Sequence, residues 1–201
     1  AAVAAARAAL PSWSASTKAE RIALLERLYD IYERRMDDMA EVISMEMGAP
    51  IDFSKSSQAT AGTFAIEDFL IQLRKFEFEE QLDDSDNQLF YEPKGVCALI
   101  TPWNWPISQV ALKVIPALAA GCTMILKPSE LAPLDSIIFA EMLEEAGCPA
   151  GVFNLVNGDG AGVGSQLTSH PDIDMVSFTG STRAGALISH NAADDFKRVG
   201  L

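Results

Sequence analysis

The sequence predicts an α/β fold, a doubly wound parallel sheet preceded by a helical portion and a short β arm, on three observations. From Gly95 onward, short apolar runs bounded by Gly or Pro alternate with helical stretches, as parallel strands joined by crossovers do. Before about residue 80 the apolar residues recur at helical spacing. Between the two lies an acidic, turn-rich stretch with one short strand-like run, LFYE, ended by Pro93. The chain thus divides into a helical part (1–80), an arm (81–94) and an α/β core (95–201).

The elements follow in order. Thr17 and Glu20 form a capping box, in which each side chain satisfies a backbone N–H at a helix start. Ile22, Leu25, Tyr29, Tyr32 and Met36 continue that helix until Gly48 and Pro50 end it. A second helical stretch, 52–76, is expected to turn Phe64, Phe69, Ile71 and Leu73 toward a core, with Gly62 as a weak point in its middle. DDSDN (83–87) supplies turn residues before the arm strand. In the core, VCALI (96–100) is a buried strand, 108–120 a helix, and TMIL (123–126) a strand. A helix over 134–146 has Pro133 at its first turn and Gly147 at its end. VFNLV, a glycine-rich segment, DMVSF and a helix from Thr182 complete the series.

Composition narrows the function. With 49% hydrophobic and 21% charged residues over 201 positions the chain is globular and long enough for one full core or one domain and a half. A formal charge of −13, from 28 acids against 15 bases, argues against nucleic acid and against an anionic membrane surface. The acids of 77–86 read as a solvated loop or edge. The longest apolar stretch is interrupted by Lys113, Pro116 and Gly121, so no membrane span is expected. No secretory signal is read, and three cysteines make no disulfide framework, so a cytoplasmic setting is expected. His170 and His190 stand apart from other ligand types, and no metal site is expected. The absent initiator Met suggests trimming.

In an open parallel sheet ligands bind at the carboxyl ends of the strands. Those positions hold the unusual residues: Thr101, Pro102, Trp103 and Asn104; Lys127, Pro128, Ser129 and Glu130; Asn157, Gly158, Asp159 and Gly160; Thr179, Gly180 and Ser181. Gly158, Gly160, Gly162 and Gly164 give GxGxGxG, one place away from the strict dinucleotide fingerprint, and a flexible turn accounts for it equally. Gly180 and Ser181 open a helix, where free N–H groups favour a phosphate, or where Ser181 is an N-cap. Lys127 and Glu130 suit the vicinal hydroxyls of a ribose, or form a surface ion pair. Spacing alone decides neither.

The run GVCALITPWNWPISQVALKVIPALAAGCTMILKPSE, with EEAGCPAGVFNLVNG and MVSFTGST after it, resembles the aldehyde dehydrogenase superfamily over nearly all of 89–201. The resemblance implies a Rossmann-like NAD-binding core at 95–201, an arm strand for oligomerisation, and a homodimer or homotetramer. It implies that Lys127 and Glu130 hold the adenosine ribose and that Gly180 and Ser181 face the pyrophosphate. Ile100, Thr101, Pro102 and Trp103 would line the nicotinamide side, with Gly160 and Gly164 beside the adenine and Phe178 at the neighbouring strand end. Glu130, an acid where a 2′-phosphate would lie, favours NAD over NADP. Asn104 matches the family's oxyanion-hole asparagine and Lys113 a lysine given a proton-relay role; as an isolated helical lysine, Lys113 reads as a surface charge.

The implied reaction oxidises an aldehyde to a carboxylic acid through a cysteine thioester, with the nucleophile and general base expected beyond Leu201 and the chain therefore truncated. Cys97, Cys122, which replaces an asparagine common in the family, and Cys148 are not nominated as nucleophile. Two alternatives stand beside this: a nucleotide-binding or structural module without catalysis, and a CoA-acylating or phosphate-ester-reducing relative.

Overall fold

The structure, a computed structural model, describes residues 1–82 and 86–201. Part of the turn expected at 83–87 lies outside those residues. Helix α1 (Ala2–Ser14) is followed by α2 (Lys18–Arg34), whose start carries the expected capping box: Glu20 N–H donates to Thr17 Oγ1 at 3.2 Å and Thr17 N–H to Glu20 Oε2 at 2.7 Å. The long helix expected up to Gly48 is two. Arg35, at φ −106° and ψ 16°, separates α2 from α3 (Met36–Met47), which Gly48 ends in the left-handed region at φ 77°.

The second helical stretch is also divided, into α4 (Ile51–Phe53), a π-turn over Ser54–Gln58 and α5 (Thr60–Lys75). Its buried face differs from the expectation. Phe64 and Ile71 are exposed and Phe69 half-buried, while Gly62, Ala65, Ile66, Leu70 and Leu73 face inward. The reason lies at Gly62, where an added Cβ would come 2.3 Å from Tyr32 Oη: α5 lies so close to α2 that the small residues mark the interface.

The arm is a hairpin of β1 (Glu79–Gln81) and β2 (Gln88–Phe90), antiparallel, with both strands exposed. The main sheet holds five parallel strands: β3 (Val96–Ile100), β4 (Thr123–Lys127), β5 (Phe153–Leu155), β6 (Met175–Phe178) and β7 (Arg198–Gly200). Their order is β5-β4-β3-β6-β7. The chain builds outward from β3 to one edge through α6 (Pro106–Ala120) and α7 (Leu134–Glu145). It then returns to the other side of β3 through a π-turn (Gly160–Gly164), α8 (Ser165–Thr168), β6 and α9 (Thr182–Ala193). The order therefore reverses between β3 and β6, where doubly wound sheets open a crevice.

Alternation along β3 assigns the two faces. Cys97 and Leu99 join Met124, Leu126 and the cores of α2, α3, α5, α6 and α7 in one cluster. Val96, Ala98 and Ile100 join Ile125, Val176, Ile188 and residues of α1 in the other. No helix among the described residues is long and apolar enough to cross a membrane.

Candidate cofactor and active site

Three strand ends meet at the crevice and are stitched together by main-chain bonds. Thr101 N–H donates to Lys127 O at 3.2 Å, and Thr179 N–H to Ile100 O at 3.1 Å. The residues after β3, β4 and β6 thus hold fixed positions relative to one another.

After β4, Lys127 is 2% exposed, so the surface ion pair that spacing left open does not describe it. Its ammonium donates to Pro128 O at 2.7 Å and lies 3.5 Å from a carboxylate oxygen of the more exposed Glu130. A buried cation with an acid at its side has donors and an acceptor left for a polyhydroxyl ligand.

Between α8 and α9 a cavity of about 300 Å³ opens, walled by Ile100, Gly160, Gly164, Phe178, Leu187 and Ile188 among others. The glycines of the loop sort into two kinds. At Gly158 an added Cβ would meet Val163 at 2.4 Å, and at Gly162 it would meet Asp159 Oδ1 at 2.5 Å, so both serve the turn itself. At Gly160 a Cβ meets nothing within 4 Å, and at Gly164 it makes only ordinary contacts, the nearest at 3.7 Å. No internal contact demands glycine at these two, and both border the cavity. A flat ring lying close against the backbone would demand it.

After β6, Gly180 leaves room for a neighbour: a Cβ there would stand 2.4 Å from Cζ of Phe178. Ser181 is the N-cap of α9, its Oγ accepting from Ala184 N–H at 3.3 Å. The hydroxyl proton is still free to donate, so capping and anion binding are compatible at Ser181.

After β3, Thr101 is buried, Pro102 half-buried, and Trp103 and Asn104 exposed. Asn104 precedes Trp105, which enters α6 in the left-handed region at φ 52° and meets Phe53 edge-on at 5.7 Å. Lys113, read from sequence as a surface charge, is half-buried. Its ammonium donates to Ser177 Oγ on β6 at 3.0 Å, and burial pushes its pKa down.

Sequence reading missed Arg183, Ala184, Leu187, Ile188 and Asn191, which give α9's contribution to the cavity wall. Their helical spacing was a usable signal. The Trp105–Phe53 contact and the Lys113–Ser177 bond left no such trace. A larger cavity of about 650 Å³ lies at the root of the hairpin beside Arg21 and takes in no end of the parallel sheet.

The whole chain, residues 1–201, matches the family model described as "Aldehyde dehydrogenase family". It is 52% identical over 201 residues to a 3-succinoylsemialdehyde-pyridine dehydrogenase of a Pseudomonas species, covering all of this chain and 42% of the relative. Among solved structures, it superposes on an aldehyde dehydrogenase of Bartonella henselae with a TM-score of 0.97 at 54% identity, covering 98% of this chain and 42% of that one. It superposes on an aldehyde dehydrogenase of Pseudomonas syringae, in complex with NAD+ and octanal, with a TM-score of 0.96 at 46% identity, covering 98% and 40%. The chain spans about two fifths of the length of these relatives. With the full length of the sequence matched and 98% of the chain superposed on a solved relative, the chain belongs to the aldehyde dehydrogenase family.

Proposed function

We propose that the full protein oxidises an aldehyde to a carboxylic acid with NAD as hydride acceptor, and that residues 1–201 furnish most of its cofactor site. One feature above all supports this: the crevice at the β3–β6 reversal joins buried Lys127, the glycine-bordered cavity and the N-terminus of α9 in one frame. In this reading Lys127 and Glu130 hold the adenosine ribose, and Ile100, Phe178, Gly160 and Gly164 flank the adenine. Gly180 and Ser181 receive the pyrophosphate, while Thr101, Pro102 and Trp103 line the nicotinamide side. NAD, when bound, supplies a two-electron acceptor for hydride. Glu130 disfavours a 2′-phosphate by repulsion.

Asn104 has its amide exposed beside the crevice and is assigned to donate to the oxygen that gains charge as the aldehyde carbonyl is attacked. Lys113 is assigned to hold or pass a proton, a role supported by its pKa lowered by burial and its ammonium's bond to Ser177 on β6. The exposed hairpin offers strand edges to a second copy, consistent with a homodimer or homotetramer in a cytoplasmic setting.

The test is NADH formation by the full-length protein with a panel of aliphatic and aromatic aldehydes, with carboxylate measured as product. Tight NAD binding without NADH formation would sink the oxidation and leave the cofactor site standing. Failure to bind NAD would sink both.

A further inference from the structure

The chain holds five asparagines, and only Asn157 is followed by glycine. That pair falls in a gap between two fixed frames. Val156 is tied to the sheet through its N–H, which donates to Leu126 O at 2.9 Å. Asp159 begins the π-turn: its Oδ1 accepts from Gly162 N–H at 2.7 Å and its carbonyl from Gly164 N–H at 3.1 Å. Between these anchors neither Asn157 nor Gly158 makes a hydrogen bond, by main chain or side chain, to any of the described residues. Asn157 is exposed.

The turn itself demands the glycine. Gly158 has φ 153°, and an added Cβ would stand 2.4 Å from Cγ2 of Val163. A main-chain nitrogen with no side chain to screen it therefore follows directly on an unbonded carboxamide. The other asparagines lack one or both features. Asn154 Nδ2 donates to Met124 O at 3.1 Å and Gly151 O at 2.8 Å, and Asn191 Nδ2 to Thr168 Oγ1 at 3.0 Å. Asn87 and Asn104 precede residues with long or bulky side chains, Gln88 and Trp105. Asp159 also precedes a glycine, but it presents a carboxylate, a poor target for a nitrogen nucleophile, with one oxygen held by Gly162.

We propose that Asn157 is a self-modifying site: the Gly158 nitrogen closes on its side chain, and the aspartate and isoaspartate that result weaken dinucleotide binding at the adjoining glycine loop. The second half rests on the cofactor site proposed above. The Gly158 nitrogen gives up its proton to solvent base and attacks Cγ of Asn157. An N–C bond forms, the bond from Cγ to the side-chain nitrogen breaks, and that nitrogen takes a proton and leaves as ammonia, with a succinimide left in the chain. Water then opens either ring carbonyl. Cleavage at Cγ gives aspartate; cleavage at the main-chain carbonyl gives isoaspartate, whose chain runs through the side chain and is longer by a methylene. One ammonia is released for each water consumed, and nothing is oxidised or reduced.

Either product sets a new carboxylate just ahead of Gly160 and Gly164 on the cavity wall, in a chain whose formal charge is already −13. It would repel the cofactor's phosphates, less so in high salt. Isoaspartate would also shift the π-turn relative to β5, since the extra methylene falls between their two anchors.

The test holds the native full-length protein in warm, mildly alkaline buffer and maps its peptides over time by fragmentation mass spectrometry. Isoaspartate is read by enzymatic methylation and NAD affinity by calorimetric titration. Asn157 should become heavier by the exchange of NH2 for OH and accept methyl groups, faster at higher pH, while Asn154 and Asn191 stay unchanged. NAD affinity should fall several-fold in step with the modified fraction, and Asn157→Asp should show the loss from the start. Asn157→Gln, whose longer arm closes no succinimide, should keep its own starting affinity throughout. Native protein that retains Asn157 while a synthetic peptide of residues 152–163 converts would overturn the proposal, because the fold would then restrain the pair. Conversion with unaltered NAD affinity would overturn its effect on the cofactor. Absence of NAD binding before the hold would instead sink the cofactor site, and the mapped modification would stand or fall on the masses alone.

Discussion

Replacing Gly62 by Ala sets two effects of opposite sign against each other. Gly62 lies in α5, and helix propensity alone predicts a gain of about 1 kcal/mol. The new methyl would stand 2.3 Å from Oη, 2.4 Å from Cζ and 2.7 Å from Cε2 of Tyr32, against an ordinary contact of 3.4–4 Å. The ring must therefore retreat by at least about 1 Å. Tyr32 is fully buried, its hydroxyl donates to Ala59 O at 2.7 Å, and its ring meets Phe139 at 6.3 Å. Overpacking costs about 1–3 kcal/mol and a lost buried hydrogen bond about 1 kcal/mol more. The net expectation is destabilisation by roughly 1–3 kcal/mol, read as a lower denaturant midpoint at unchanged slope. Shrinking the partner should relieve it: the double variant Gly62→Ala/Tyr32→Leu should lose less than the sum of the singles. A Gly62→Ala protein as stable as the parent, or more stable, would show that the close approach of α5 to α2 is not what fixes this glycine.

Gly180→Ala should push the Phe178 ring toward the cavity and weaken NAD binding by roughly tenfold or more, the scale of 1–3 kcal/mol of repacking, as calorimetric titration would report. Unchanged affinity would separate that ring from the cofactor. Glu130→Ser should strengthen NADP binding by about tenfold, with Arg183 on the cavity wall available to the added phosphate; an unaltered NADP affinity would refute the repulsion argument. Asn104→Ala in the full-length protein should lower turnover by roughly 10²-fold or more with NAD affinity intact, and a near-normal turnover number would remove it from the site. Asp135 is buried at the start of α7, where burial and the Glu46 carboxylate hold its pKa well above the ordinary aspartate value of 3.8. The folded state keeps a proton that the unfolded state releases, so stability falls as pH rises from about 3.8 toward the raised pKa. Asp135→Asn should therefore gain stability relative to the parent as pH increases, and a thermal shift independent of pH would contradict this.

The strands of the core were legible because each is a short apolar run ending in a residue of different character. Val96–Ile100 was read to the residue, and Thr123–Lys127 one residue short, because Lys127 is a buried cation in the last strand position. The three-residue strands β1 and β7 escaped notice, since three residues set no period. On α5 the large apolar side chains misled: Phe64 and Ile71 remain exposed, and close helix approach reserves the inner face for Gly62, Ala65 and Ile66. At the site, the strand-end rule located Thr101, Lys127 and Gly180. The Lys113–Ser177 bond joins residues 64 apart, and only the β3–β6 pairing brings them together.

The bonds from Thr101 to Lys127 O and from Thr179 to Ile100 O have an evolutionary consequence. Each runs between main-chain atoms, so no exchange of side chains at those positions deletes it, proline at a donor aside. Mutation can therefore redraw the chemistry along the rim one residue at a time while the outline of the crevice is inherited unchanged.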